Sequence, residues 1–479
     1  MEFLDALRQE DMVTENGMAT NSTSLNACVD LFFNIGAMRG QDKQRLIATF
    51  SKAFNEDPKR AMKLLFWARD VRGGAGERQV FKDILVYLAE NHDLVLRPNL
   101  HLIPEYGRWD DLLALVGTYL EKEAFTLISD ALINENGLCA KWMPRKGAVA
   151  EKLRKFTGMS PKQYRKSLVG LTNVVETKMC ARDWNSIDFG KLPSVASARY
   201  QKAFGKNAYE SYSAYIASLV KGEAKINAGA VYPYDVITSL ERGNATVANE
   251  QWKALPNYLE GANDMILPVV DVSGSMSTPA GGSKTVTCMN VAISLGLYIS
   301  ERNVGPFKDA FITFSSKPQL QVLSGSLNDR YTQMSNSDWG MSTDLEATFK
   351  LILNQATKHK LSQDKMPNKI LILSDMEFNQ AVSCGGYSSR FKGESHWNPT
   401  AQQMIETMYS EAGYKVPQIV FWNIQSRNGG VPVAFDAKGT ALVSGFSPAI
   451  MTSLLGGDIE SPQQIMDKTI LSERYAPVV

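Results

Sequence analysis

The stretch Met265-Ile266-Leu267-Pro268-Val269-Val270-Asp271-Val272-Ser273-Gly274-Ser275 decides how the second half of this chain folds. The apolar, partly β-branched run Met265–Val272 is short for a helix and reads as a strand buried on both faces. Downstream the same rhythm repeats. A helical pattern covers Thr285–Glu301, a strand Ala310–Phe314, a helix Asp344–Ala356, a strand Lys369–Leu373 and a helix Pro399–Ala412. Strands at Gln418–Asn423 and Ala441–Val443 and a helix over Ser447–Leu455 complete it. Alternating strands and helices predict a doubly wound, mostly parallel α/β sheet, and such sheets bind ligands beyond the carboxyl ends of their strands.

The chemistry-bearing residues fall at those ends. The first strand runs into a D-x-S-x-S turn bearing Asp271, Ser273 and Ser275. Thr343 lies in Gly340-Met341-Ser342-Thr343-Asp344, just before a helix, and Ser374-Asp375 follows the strand Lys369–Leu373. Carboxylates and hydroxyls are hard oxygen ligands, suited to Mg²⁺ or another divalent cation. The competing reading is a set of helix caps. The five residues Asp271, Ser273, Ser275, Thr343 and Asp375 resemble the metal-ion-dependent adhesion site (MIDAS) of von Willebrand factor A domains. The resemblance implies a Rossmann-like A domain over 261–479 and direct metal binding by the two serines and the threonine. It also implies aspartates acting directly or through water, and a coordination position open to an acidic group of a protein partner.

Catalysis finds little support. A metal-assisted hydrolase needs a general base, and none of these three loops holds a His. The glycines before Lys284-Thr285 lack phosphate-loop spacing, and neither G-x-S-x-G nor H-E-x-x-H occurs. The expectation is a binding protein and not an enzyme.

Up to about residue 245 the pattern is helical, with few strand signals, and the rhythm changes from about residue 262. Asp57-Pro58 opens a helix in which Met62, Leu65, Phe66 and Arg69 recur at helical spacing. Gly73-Gly74-Ala75-Gly76 ends it, and Val80–Glu90 resumes the pattern. Further helical stretches lie at 111–120, 123–133, 162–180 and 194–219. Paired helices joined by short turns suggest an all-α, HEAT-like repeat domain over 1–260, although no clean sequence repeat is visible.

Overall the chain is almost neutral: 51 Lys and Arg against 50 Asp and Glu in 479 residues. The balance is uneven. Between Cys139 and Lys225 there are 17 basic and 6 acidic residues, a net of +11, which leaves −10 for the rest. The densest part holds Lys141, Arg145, Lys146, Lys152, Arg154, Lys155, Lys162, Arg165 and Lys166 against Glu151, with Trp142, Phe156 and Tyr164 interleaved and Trp184 and Tyr200 following. Basic groups neutralise phosphates and aromatic faces stack on unpaired bases, so this stretch is the candidate RNA-binding surface. A solvated helix face is the plainer alternative.

Three segments are distinctive: Thr14-Glu15-Asn16-Gly17 with Asn26–Phe33, Leu64–Arg78, and Glu105–Leu113. With Pro193-Ser194, Pro233-Tyr234-Asp235 and Ser374-Asp375-Met376-Glu377-Phe378, they resemble the family designated domain of unknown function 2828, over nearly the whole chain. Arg69-Asp70-Val71-Arg72-Gly73-Gly74-Ala75-Gly76-Glu77-Arg78 and Gly107–Leu112 also look like the TROVE module of the Ro autoantigen family. That likeness implies a helical-repeat domain joined to an A domain in a ribonucleoprotein that binds small RNAs. A cytoplasmic location is expected from the odd number of scattered cysteines, which fits free thiols in a reducing compartment. Read alone, Arg69–Arg78 also fits a tight interhelical turn with an internal ion-pair network, and Gly107–Asp110 a turn, a packed indole and a cap at Asp110.

Five scattered cysteines and four scattered histidines, with no C-x-x-C, argue against a zinc site or a disulfide scaffold. No signal peptide or apolar run of membrane-spanning length is visible, so no membrane partner is expected. Two functions remain in view. One is a non-catalytic RNA-binding scaffold whose Mg²⁺-binding A domain closes the structure or recruits a partner. The other is an assembly module whose metal site grips an acidic residue of a protein.

Overall fold

A computed structural model describes residues 10–243, 245–314, 317–337, 343–381 and 399–479. The chain forms two compact units, each interrupted in sequence. The first contains residues 1–64, 232–238 and 257–472; the second contains 65–231, 239–256 and 473–479. The expected boundary near residue 260 describes a change in local pattern. The compact units are interleaved along the chain instead.

The first unit is built on a sheet. A short antiparallel hairpin, β1 (Met12–Val13) and β2 (Ala19–Thr20), precedes it. The sheet strands are β3 (Ile266–Asp271), β4 (Ala310–Phe314), β5 (Leu320–Val322), β6 (Lys369–Ser374), β7 (Gln418–Asn423) and β8 (Thr440–Ser444). Their order is β5-β4-β3-β6-β7-β8, with β5 antiparallel to β4 and all other pairs parallel. From β3 the chain winds to β4 and β5 on one side, then returns to β6 on the other. The order therefore reverses between β3 and β6, where ligand crevices form.

Sequence explains these elements. β3, β4, β6 and β8 are buried at every position, as strands with helices on both faces require. Pro268 is tolerated in β3, just before the stretch paired with β4 begins at Val269. The helix Cys288–Arg302 starts with a Thr287–Asn290 capping box and is buried continuously from Val291 to Ser300. It approaches the sheet closely at Gly296, where a Cβ would lie 2.5 Å from Val270 Cγ2. The expected edge of the sheet was incomplete: β5 and the helix Leu327–Ser335 carry no strong periodic signal, and β5 is largely exposed.

The N-terminal helix Ala27–Ile35 belongs to this unit. It is apolar nearly all round, as a buried helix must be. Ser444 Oγ donates to Phe32 O at 2.8 Å and accepts from Gly36 N at 3.1 Å, which fixes the helix against β8.

The second unit is helical. Its main helices are Arg78–Asn91, Glu121–Ile133, Ala148–Phe156, Pro161–Leu171, Ser194–Asn207 and Tyr209–Val220. The stretch expected as a helix at 111–120 is instead a 3₁₀ helix over Trp109–Leu115. Asp111, not Asp110, closes its first turn by accepting from the Arg108 amide at 3.0 Å. The Arg69–Arg78 segment forms the internal network. Arg69 Nε donates to Asp111 Oδ2 at 2.7 Å with both side chains buried, Arg78 pairs with Asp110, and Lys82 lies 3.4 Å from Asp111. Gly74 is obligatory in this turn, because a Cβ there would fall 1.9 Å from Trp67 O. The residues 473–479 complete the unit: Tyr475 is buried and donates to Asp70 Oδ2 at 2.9 Å, and Asn99 pairs with the Val479 backbone.

Among the described residues, no helix is long and apolar enough to cross a membrane.

Candidate metal centre

The first unit gathers the oxygen-bearing residues at the β3–β6 switch point. Asp271 is the last residue of β3, and Asp375 follows the last residue of β6. Asp271, Ser273, Thr343 and Asp375 are each no more than 2% exposed. Asp271 Oδ1 accepts from Ser273 N at 2.8 Å, which folds the D-x-S-x-S turn back on its own carboxylate. The Ser273 and Ser275 hydroxyls lie 2.9 Å apart. Ser374 Oγ donates to Asp271 Oδ2 at 2.5 Å and accepts from Met376 N at 3.1 Å. Met376 itself has φ +66°, a left-handed conformation costly for a side chain of its size, so the turn after Asp375 is held under strain.

Thr343 is the first described residue of its loop; Gly340, Met341 and Ser342 lie outside the described residues. Thr343 O accepts from Asn379 N at 3.0 Å, which ties it to the segment that carries Asp375. Asn16 Nδ2 reaches Thr343 Oγ at 3.5 Å and Glu377 O at 2.6 Å. Asp344 caps the next helix by accepting from Ala347 N at 2.8 Å.

Electrostatics mark the same place. Burial, then the charge of Asp375, pushes the Asp271 carboxyl up to about 7, against hydrogen bonds from Ser273 and Ser374. Burial also raises Asp375, against the Ser275 hydroxyl and Arg427. Asp375 Oδ2 is buried and accepts no hydrogen bond, with Arg427 Nη2 at 3.8 Å. Two buried, mutually repelling carboxyls, one with an unsatisfied oxygen, fit a divalent cation, which would offset both charges. The set suits Mg²⁺ because every donor is oxygen. Among the described residues no group of three or more His, Cys, Asp or Glu is placed to hold a metal, so such a centre depends on the hydroxyls.

Three residues at this site escaped the motif reading: Glu15, Glu377 and Arg427. Glu377 is buried; its Oε2 accepts from Glu15 N at 2.6 Å and its Oε1 from Asn428 Nδ2 at 3.2 Å. Glu15 and Glu377 stood in the quoted family segments but carried no ligand spacing. Arg427 stood in no motif.

The candidate RNA-binding residues lie in the second unit. Arg145, Lys146, Lys152, Lys155, Lys162, Arg165 and Lys166 are exposed, and Lys141 and Arg154 are half-buried. Lys152 pairs with Glu121 and Lys155 with Glu151, each at 2.9 Å, and Arg154 donates to Met159 O at 2.7 Å. The interleaved aromatics are mostly committed to packing. Tyr164 is buried, Arg108 covers the Trp142 ring at 3.7 Å, and Trp184 and Tyr200 pack on the cluster around Phe189 and Phe204. Phe156 remains 41% exposed, beside Phe125.

A family model described as domain of unknown function (DUF2828) matches residues 14–137 and 128–263, and one described as domain of unknown function (DUF7788) matches 265–474. A relative from Acanthamoeba polyphaga mimivirus, named "Uncharacterized protein L728", is 30% identical over 513 residues, covering 95% of this chain and 86% of its own length. These matches follow the segments at Thr14–Phe33, Leu64–Arg78 and Glu105–Leu113, and the chain belongs to the DUF2828 family.

Proposed function

We propose that this chain is a non-catalytic binding protein whose α/β unit is a von Willebrand factor A-like domain holding Mg²⁺ or another divalent cation. Asp271, Ser273, Ser275, Thr343 and Asp375 would hold the ion. The ion would supply a Lewis-acidic position for an acidic group of a protein partner. The observation that carries this reading is the unsatisfied, buried Asp375 Oδ2 beside Asp271 at the switch point of the sheet. The test is Mn²⁺ binding, followed by calorimetry and by the electron-spin signal of free Mn²⁺. Wild-type protein should bind one ion and Asp271→Asn should lose it; equal binding by both sinks the reading.

The helical unit, on the same proposal, is a HEAT-like, TROVE-like scaffold that carries RNA on the Lys141–Lys166 surface. Its support is the exposure of seven basic side chains within one short stretch, three of them on the helix Pro161–Leu171. Purification without nuclease, with washes at rising salt in the presence and absence of EDTA, tests it. RNA that leaves with salt and is indifferent to EDTA fits an RNA scaffold with a separate metal centre. No RNA after a low-salt wash favours the assembly reading alone.

A further inference from the structure

The candidate centre has a charged neighbour whose place no motif anticipates. Arg427 Nη2 donates to Ser275 O at 2.5 Å and to Thr278 Oγ1 at 2.9 Å, and it lies 3.8 Å from Asp375 Oδ2. Its other terminal nitrogen, Nη1, lies 3.6 Å from Glu15 Oε2. A guanidinium therefore stands beside one candidate carboxylate ligand while bonded to the loop that carries two candidate hydroxyl ligands.

The guanidinium is held from both ends. Its backbone is pinned by Arg45, which donates to Arg427 O and, at 2.9 Å each, to Ser426 O and Ser426 Oγ. Its tip is pinned by Thr278, which in turn donates to Gln425 Oε1 at 2.6 Å. Arg427 is thus a fixed positive charge and not a mobile arm. Arginine stays protonated across the accessible pH range, so the charge is permanent.

We infer that Arg427 sets the affinity of the cation centre: its tethered charge competes with a divalent ion for Asp375 and weakens ion binding. The inference rests on the metal reading above. A unit charge within about 4 Å of a ligand, near a protein surface, is a strong lever even after screening. Removing it should tighten divalent binding by roughly tenfold or more. It also adds attraction for the partner's acidic group that the ion would bind, so the centre would favour ion and carboxylate together over ion alone.

The experiment measures Mn²⁺ binding to the full chain as wild type, Arg427→Gln, Arg427→Met, Arg427→Lys and Asp271→Asn, with folding checked by circular dichroism. Arg427→Gln and Arg427→Met, two charge-free side chains of different polarity, should bind roughly tenfold tighter than wild type, and Arg427→Lys close to wild type. High salt should narrow the gap, because it screens a charge effect. Binding in the wild type that is lost in Asp271→Asn but unchanged or weakened in the folded charge-free variants overturns the role of Arg427 alone. Failure of both charge-free variants to fold also overturns it, because Arg427 would then be a structural tie. No binding by any of the five proteins overturns the metal reading together with this inference.

Discussion

The Ser374 hydroxyl donates to Asp271 Oδ2 at 2.5 Å and joins the ends of two adjacent parallel strands, β3 and β6. The same hydroxyl accepts from the Met376 amide, so one side chain orients a candidate ligand and shapes the turn bearing the other. Groups that orient metal ligands commonly govern affinity by about tenfold or more when removed. Ser374→Ala should weaken Mn²⁺ binding by about tenfold and cost the α/β unit about 1 kcal/mol. Calorimetric titration and chemical denaturation read the two effects separately.

Gly296→Ala should destabilise the α/β unit by about 1–3 kcal/mol, although Ala is the better helix former. The added methyl must enter a space where Val270 Cγ2 is 2.5 Å away, one residue before Asp271. Denaturation midpoints decide the sign. A stabilised variant would show that helix and strand separate easily there.

Asp70 gives the helical unit an acid-sensitive tie. Burial pushes its carboxyl up, but the Arg474 guanidinium, the Arg72 amide and the Tyr475 hydroxyl together bring it below the ordinary carboxylate value. A depressed value means stability that is fully present above the unfolded-state value. That stability is lost as pH falls through the lower, folded-state value. Asp70→Asn should cost about 2 kcal/mol at neutral pH and flatten the acid limb, with the two proteins converging below both values. Hydrogen exchange of amides in the Leu65–Tyr106 region, followed against pH, checks it.

Lys162 and Lys166 are four residues apart on the helix Pro161–Leu171 and share its exposed face. Lys162→Glu with Lys166→Glu should reduce RNA affinity by roughly tenfold and lower the log–log salt slope by about 1–2, with the helical spectrum unchanged. This pair is a cleaner probe than Arg154 and Lys155, because Arg154 also supports the Met159 turn. Filter binding to single-stranded RNA across a salt series measures both quantities.

Thiol reactivity should divide sharply. Burial above all pushes Cys28 and Cys139 up to about 12 and Cys288 up to about 11, so little thiolate forms at neutral pH. Cys180 is exposed. A water-soluble disulfide reagent should modify Cys180 in the native protein and these three only on unfolding, as peptide mass mapping would record.

What sequence determined by itself is local and periodic. Buried β-branched runs placed the strands, with Ala310–Phe314 and Gln418–Asn423 matching residue for residue. The D-x-S-x-S turn, Thr343 and Asp375 were legible because each follows a strand or precedes a helix, and burial patterns encode those positions. The tight turn at Gly73–Gly76 was legible for the same reason. Partner choice across long stretches of chain was decided by tertiary structure. A basic residue does not announce which acid it will meet, so Arg427 beside Asp375, Glu15 beside Glu377 and Arg474 on Asp70 had no periodic signature. An aromatic residue does not announce whether a base or a core will cover it, and Tyr164, Trp184 and Tyr200 went to packing. Residues 10–64 join the sheet unit and 473–479 the helical unit, the latter tied by Arg474 and Tyr475 to Asp70 and by Val479 to Asn99, pairings that no local pattern announces. Hydrophobic burial is non-directional, and complementary shape, which exists only in three dimensions, selects the mate.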